Sequence, residues 1–411
     1  MGPKLLLAIH NAYTDNTSGA ARSMRTIVEW LAASGFQCEV ICTARFDAKP
    51  PESIAAHLES LEITPARETL PRRLSKSGAA PLPALSFELA GVPVTMLLTR
   101  HNRAESIDRG EFEQMSNLIK HRLKNAPPDL LLTYGSHGVV LEFMRQASQR
   151  GIPTIFSLRN YGYEDPGWFT WASQVLTCSP YLSGYYRETT GIESEGIVSP
   201  INWQDVLSDE ESRSFVTFVN PSLAKGAALF ARLADMLGSR RPDIPILVVQ
   251  SAADAASLNS IPGIDFSQYP QIMAAPPVPR PREFFELTRI MLVPSVFAEP
   301  FGRVAAEALI NGVPPIVSDR GSLPETVGDA GVVLPIPEWI NPDNIKVPDE
   351  NEVKPWFDAV CDIWDNDERY KALSEKGRQE AERLYSEDAL KARYLAFFQR
   401  VLSEGPSVAS R

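Results

Sequence analysis

Apolar residues along this chain fall into short unbroken runs separated by stripes at three- and four-residue steps. Leu5 to Ile9 is one such run. After a polar loop, Ala20, Met24, Ile27, Val28 and Leu31 recur at helical spacing, and Glu39 to Cys42 resume a strand-like stretch after Gly35. A continuous apolar run suits a strand and a single stripe seats a helix on a sheet, so the opening predicts one βαβ unit. Val94 to Leu98, Leu130 to Thr133 and Thr154 to Leu158 are further strand candidates, with helical stretches over Ser116 to Lys124 and Val139 to Gln149. Strands alternating with helices predict a parallel, doubly wound α/β sheet. The pattern then restarts with a strand at Phe215 to Val219, a helix from Ala227 to Leu237 ending at Gly238, and a strand at Ile246 to Val249. Between the halves, Ser199-Pro200-Ile201-Asn202 and the acidic run Ser208-Asp209-Glu210-Glu211 read as a linker, which places a boundary near 203. From about Glu352 to Leu402 the chain is mainly helical, and segment 46 to 92, rich in Pro and polar residues, gives the weakest local pattern.

Composition narrows the class. At 411 residues the chain exceeds one compact core and suits two domains. Hydrophobic residues at 44% and charged residues at 22% are ordinary for a folded soluble protein. A net charge of -11 argues against nucleic acid as a partner, because phosphate backbones are bound by clustered Lys and Arg. The four cysteines, Cys38, Cys42, Cys178 and Cys361, are too few and too scattered for a disulfide framework, and strand alternation puts Cys38 and Cys42 on one face as packing residues. Free thiols, a first apolar stretch shorter than a signal-peptide core and no run of membrane-spanning length together predict a cytoplasmic protein, with peripheral membrane contact left open.

The stretch richest in chemistry is Val293-Pro-Ser-Val-Phe-Ala-Glu299-Pro-Phe301-Gly302-Arg303-Val304-Ala-Ala-Glu307, read as strand, turn and helix. A helix start at the carboxyl end of a parallel strand offers free N–H groups and a positive dipole end, which suit a phosphate. Gly302 lets the backbone approach it. Glu299 in the turn and Glu307 about two turns along the helix are placed to accept two separate sets of hydroxyls, those of a sugar and a ribose. Taken alone, Glu307 reads equally as a solvated helix charge. In the loop Val219-Asn220-Pro-Ser-Leu-Ala-Lys225-Gly226, a lysine beside a helix start is a point charge for a diphosphate.

The whole string, continued by Asn311-Gly-Val-Pro-Pro-Ile-Val-Ser and Asp319-Arg-Gly321-Ser-Leu-Pro-Glu325-Thr-Val, resembles the signature of glycosyltransferase family 4, with its E-x(7)-E motif at Glu299 and Glu307. The resemblance implies a retaining enzyme of the GT-B fold, two Rossmann-like doubly wound domains facing across a cleft. It implies acceptor binding by residues 1–203, binding of a nucleotide-diphosphate sugar by 204–385, and a helix in 386–411 that crosses back to the first domain. By the same resemblance the donor is held by Gly19, Asn220, Lys225, Glu299, Phe301, Gly302, Arg303, Val304 and Glu307, with Lys225 neutralising the leaving diphosphate and no metal or further cofactor required. Family members commonly carry Arg where this chain has Asn220, so one leaving-group cation is missing unless Arg303 or another residue supplies it. Asn16-Thr-Ser-Gly19 resembles the family's Gly-rich loop, and Ile152-Pro-Thr-Ile-Phe-Ser-Leu-Arg159 resembles a strand end where many members place a His.

Arg159 stabilises charge but cannot act as a base near neutral pH. His137, in Tyr134-Gly-Ser-His-Gly, is a second candidate for the reacting centre and His10 a third, each equally readable as a loop histidine. Glu299, Lys225, Arg159 and His137 are thus the candidate catalytic residues. Asp365-Asn-Asp367, the only Asp-x-Asp string, sits in a polar helical region and reads as a solvated turn, with no metal site. The resemblance favours UDP among nucleotides. It leaves open the acceptor (a glycan, a lipid-linked sugar or a small metabolite) and the oligomeric state. A GT-B phosphorylase or epimerase, and a nucleotide-sugar-binding protein without turnover, stay as alternatives.

Overall fold

The structure is a computed structural model that describes residues 2–16, 18–47, 50–69, 81–101, 107–209, 213–251, 253–278, 280–343 and 346–406. Glu210 and Glu211 of the acidic run, and 48–49 and 70–80 of segment 46 to 92, lie outside the described residues. The chain divides into two units, Met1–Pro200 with Lys391–Arg411, and Ile201–Leu390.

The first unit is built on nine strands: β1 (Lys4–Ala8), β2 (Gln37–Thr43), β3 (Ala66–Thr69), β4 (Pro83–Leu89), β5 (Val92–Leu97), β6 (Leu130–Thr133), β7 (Thr154–Leu158), β8 (Gln174–Thr177) and β9 (Glu195–Gly196). They lie in the order β3-β4-β5-β2-β1-β6-β7-β8-β9. From β5 to β9 neighbours pair in parallel, while β3 and β4 extend the β5 edge as antiparallel strands. Its helices are α1 (Gly19–Ala33), α2 (Ile54–Ser60), α3 (Arg109–Asn125), α4 (Gly138–Ser148) and α5 (Pro180–Thr190). The central strands are contiguous apolar runs because helices cover both faces of a parallel sheet, and Leu5–Leu7 and Leu130–Leu132 are buried accordingly. On α1 the predicted stripe is the buried one, Met24, Ile27, Val28 and Leu31, and Ser18 caps the start by accepting from Ala21 N. The third helix begins well before the predicted Ser116. Asp108 and Glu111 form a capping box there, a start signal carried by polar residues that apolar periodicity does not register.

The second unit holds six parallel strands, β10 (Phe215–Val219), β11 (Ile246–Val249), β12 (Ile272–Ala275), β13 (Thr288–Val293), β14 (Pro315–Ser318) and β15 (Val332–Leu334), in the order β12-β11-β10-β13-β14-β15. With them run α6 (Trp203–Val206), α7 (Ala227–Arg240), α8 (Arg282–Phe285), α9 (Arg303–Ile310), α10 (Leu323–Val327), α11 (Glu350–Asp365) and α12 (Asp367–Tyr385). Phe218 stacks on Phe230 at 4.3 Å between ring centroids, fixing α7 on the sheet. The predicted stop at Gly238 is corrected: α7 continues through it to Arg240. A Cβ at Gly238 would lie 2.6 Å from the Tyr269 ring, so this glycine serves close packing rather than termination.

In α13 (Glu387–Glu404), residues from Lys391 onward belong to the first unit, where buried Tyr394 donates its hydroxyl to Val198 O at 3.0 Å. In each sheet the unit's first strand sits in the middle, so chain order reverses between β1 and β6 and between β10 and β13. Open α/β sheets bind ligands beyond the carboxyl ends of strands at such a reversal. No helix among the described residues is long and apolar enough to cross a membrane.

Candidate functional site

In the second unit the loops after β10 and β13 bring Lys225 and Glu299 together. The backbone N–H groups of Val296 and Phe297 both donate to Ala224 O at 3.1 Å, which ties the two loops side by side. Gly226, at φ +88°, lets them approach: a Cβ there would sit 1.9 Å from Pro294 O. Lys225 Nζ then donates to Glu299 Oε1 at 2.5 Å, and Ser295 Oγ donates to the same oxygen at 2.6 Å. Glu299 is 7% exposed, whereas the Lys225 side chain keeps 33% of its surface open. The lysine carries three donors, of which this carboxylate takes one.

A second pair of contacts aims the carboxylate. Glu299 bridges Gly321 in parallel, and Glu299 O accepts from Ser322 N at 2.8 Å. Gly321 adopts φ +64°, and a Cβ there would come 2.3 Å from Glu299 N. Gly302 caps α9 in the left-handed conformation, so the helix starts directly beyond the Glu299 turn. Arg303 opens the helix, its Nη1 3.6 Å from Oε1 of Glu307, which is 2% exposed. Phe301 turns its ring inward, edge-on to Tyr385 at 5.9 Å, so only its backbone remains for a ligand. Val304 is half-buried. Asn220 is committed elsewhere: it holds φ +61°, and its Oδ1 accepts from Ala253 N at 3.1 Å. Its side chain thus fastens a neighbouring loop.

In the first unit the loops at the β1/β6 reversal enclose a cavity of 120 Å³ whose lining includes Asn11, Asp47, Tyr134, His137, Ser157 and Arg159. Gly19 opens α1 with an exposed backbone, and a Cβ there would meet nothing within 4 Å, so packing within the chain does not require glycine. His10 and His137 lie with ring centroids 3.9 Å apart. Burial first, then the His137 ring and the Arg45 guanidinium, pull the His10 pKa down to about 3. Burial and Arg45 lower that of His137 too, so both rings are neutral at neutral pH. Arg45 is fully buried and donates Nη2 to Glu111, the same residue that closes the α3 capping box. Of the aromatic residues that follow β7, Tyr163 and Phe169 are core, while Tyr161, Trp168 and Trp171 are half-buried.

A larger cavity of 360 Å³, bordered by Lys4 and the Arg122–Glu39 ion pair, lies at the amino-terminal ends of β1 and β2, opposite the strand ends that bind ligands in such sheets. No cluster of three or more His, Cys, Asp or Glu that could hold a metal exists among the described residues.

Sequence reasoning missed Tyr134 and Arg45. Tyr134 appears there only as the neighbour of His137. The one signal for Arg45 is a charge set just past the end of an apolar strand.

Residues 270–380, which hold β13, Glu299 and α9, match the family described as Glycosyl transferases group 1. A D-inositol 3-phosphate glycosyltransferase of Paenarthrobacter aurescens (strain TC1) is 27% identical over 147 residues, 34% of this chain and 33% of that one. The chain thus aligns with about a third of the length of this relative. Among solved structures, the catalytic domain of starch synthase IV from Arabidopsis thaliana, bound to ADP and acarbose, is similar at TM-score 0.70 and 13% identity, over 98% of this chain and 100% of that one. Sucrose-phosphate synthase from Thermosynechococcus elongatus is similar at TM-score 0.65 and 16% identity, again over 98% and 100%. Anabaena HepE in complex with UDP and glucose is similar at TM-score 0.66 and 13% identity, over 97% and 100%. These likenesses show the fold: two Rossmann-like domains of the GT-B type.

Proposed function

We propose that this chain is a retaining glycosyltransferase of the family 4 type, which moves a sugar from a nucleoside-diphosphate sugar, UDP-sugar foremost, to a hydroxyl acceptor. The observation that carries the reading is the Lys225 Nζ to Glu299 Oε1 pair at 2.5 Å, set where α9 begins. A lysine ammonium with spare donors and a helix start neutralise a leaving diphosphate without a metal ion. The buried carboxylate of Glu299 is left to accept sugar hydroxyls, and that of Glu307 to accept those of the ribose. The second unit binds the donor and the first the acceptor, with Gly19 giving a bare backbone for close approach. Neutral His137 and cationic Arg159 serve the reacting centre, the first as an uncharged hydrogen-bonding group and the second as a charge stabiliser. Retention follows if the departing phosphate itself deprotonates the acceptor on the same face of the sugar.

The names of the relatives support the donor class, since HepE is a complex with UDP and glucose and starch synthase IV one with ADP.

The test begins with thermal-shift screening against UDP, GDP, ADP and TDP and their glucose and N-acetylglucosamine conjugates, because a ligand bound only by the folded state raises the melting point. A rise confined to one nucleotide series identifies the donor. Release of the free nucleotide on turnover, with the α configuration kept in the product by proton NMR, then distinguishes transfer from phosphorolysis and epimerisation. Binding without turnover in the presence of varied acceptors and EDTA favours a nucleotide-sugar-binding protein, consistent with Asn220 spending its side chain on Ala253 rather than on a ligand.

A further inference from the structure

Two buried donors in the first unit lack acceptors, and both line the 120 Å³ cavity. Tyr134, just past β6, is 5% exposed, and its hydroxyl has no hydrogen-bond partner. Arg159, just past β7, donates Nε to Ser157 Oγ and Nη1 to Ser199 Oγ, each at 2.9 Å, and its guanidinium also lies against the Tyr394 hydroxyl, while its buried Nη2 makes no hydrogen bond of good geometry. The cavity is also bordered by Gly135, Ser136 and His137, which lead into the 11-residue helix α4. His137 holds the N-cap position without a side-chain cap bond, so the first turn of α4 has no side-chain acceptor there.

An unpaired buried donor is costly, and two of them beside one cavity are explained if a ligand completes them. Each unfilled group can donate, and the guanidinium charge and the helix dipole both favour an anion. Asp47, on the same lining, already accepts from Asn11 Nδ2, which leaves its carboxylate as the acceptor for a hydroxyl beside the anion. A cavity of 120 Å³ has room for about four water-sized groups, as many as the oxygens of a phosphate. A neutral glycan would need as many acceptors as donors around it.

We infer that this cavity binds a phosphomonoester carried by the acceptor, held by Tyr134, Arg159 and the start of α4, so that the substrate is a phosphorylated hydroxy compound. The inference rests on the proposed transfer only in calling this ligand the acceptor.

The test is thermal shift of the full chain with inorganic phosphate, and with acetate at equal ionic strength, on wild type, Tyr134→Phe, Arg159→Gln and Lys225→Ala. Phosphate also stabilises proteins by exclusion from their surfaces, an effect common to all four, so differences between variants are what is read. Wild type and Lys225→Ala should show a phosphate-specific rise that acetate does not match. Tyr134→Phe and Arg159→Gln should lose the part of it that Lys225→Ala keeps. Without ligand, Tyr134→Phe should melt at or above wild type, because the deleted hydroxyl has no partner, which keeps the test clean if Arg159→Gln is poorly folded. An equal phosphate rise in Tyr134→Phe and wild type overturns the inference, as does no rise in wild type or an equal response to acetate. A rise lost in Lys225→Ala but kept in Tyr134→Phe also overturns it, by placing phosphate in the second unit. Failure of UDP to bind while the Tyr134-dependent rise persists removes the donor reading and leaves this site standing.

Discussion

At the scale of single residues, the proposed transfer gives Lys225 and Glu299 opposite jobs from one hydrogen bond. The lysine is a third exposed and the glutamate nearly buried, so an arriving anion reaches the ammonium from solvent while the carboxylate keeps its Ser295 bond. Lys225→Ala and Glu299→Gln are each expected to lower turnover by more than about tenfold, roughly 1.4 kcal/mol of transition-state stabilisation. Steady-state kinetics with circular dichroism as a fold control measures this, and wild-type turnover in both variants would sink the assignment. Gly321 is the second test. Alanine there must hold φ +64° and push a Cβ to within 2.3 Å of Glu299 N, a strain of order 1–3 kcal/mol. Gly321→Ala should therefore lower both the melting temperature and turnover, although it removes no functional group. A Gly321→Ala variant with normal kinetics would show that the Glu299 turn needs no such pinning. Lys225 and Glu299 were legible in the sequence mainly through resemblance: a lone lysine and two glutamates eight residues apart carry no chemistry by themselves. Tyr134 was not legible, because an unpaired hydroxyl is a property of packing and no local pattern encodes it.

Elements show where periodicity suffices. Strands buried on both faces, such as Leu130–Thr133 and Ile246–Val249, were readable because such burial demands a continuous apolar run. The start of α3 was not, since its first turns are polar and its signal is the Asp108–Glu111 box. Nor was β4, a part-exposed strand that pairs antiparallel with the readable β5. Gly238 misled for a related reason: glycine inside a helix looks like a stop unless the Tyr269 ring packed on it is known. The β1 and β6 ends carry a further consequence, because they hold His10 and His137 in contact and neutral. Unfolded histidine takes up a proton near pH 6.5, whereas buried His10 resists until about pH 3. As pH falls through that window the unfolded chain binds more protons than the folded one, so stability present above pH 6.5 is lost. The expected slope is about 1.4 kcal/mol per pH unit. Urea titrations from pH 7 to 4 on wild type and His10→Gln should show the steeper decline in wild type, and parallel curves would mean that His10 does not titrate apart from its unfolded value.

For the whole molecule the deciding quantity is charge. With a formal charge of -11, the protein repels anions at long range, and under the proposed function the attraction for a nucleoside-diphosphate sugar comes from Lys225 and the helix start at contact distance. The Debye length is about 10 Å at 0.1 M salt and about 30 Å at 0.01 M. Added salt therefore screens the distant repulsion before it weakens the close pair. The association rate of UDP-glucose should rise modestly between about 0.01 and 0.1 M salt, while the dissociation rate rises as well because the partly exposed Lys225 is screened in turn. Stopped-flow measurements at several ionic strengths separate the two rates. An association rate that falls steeply with salt, as for a ligand steered by a basic surface, would mean that the field near the strand ends is positive in spite of the net charge. The Lys225→Ala variant then decides whether that one ammonium is its source: if so, the salt dependence should flatten with the lysine gone.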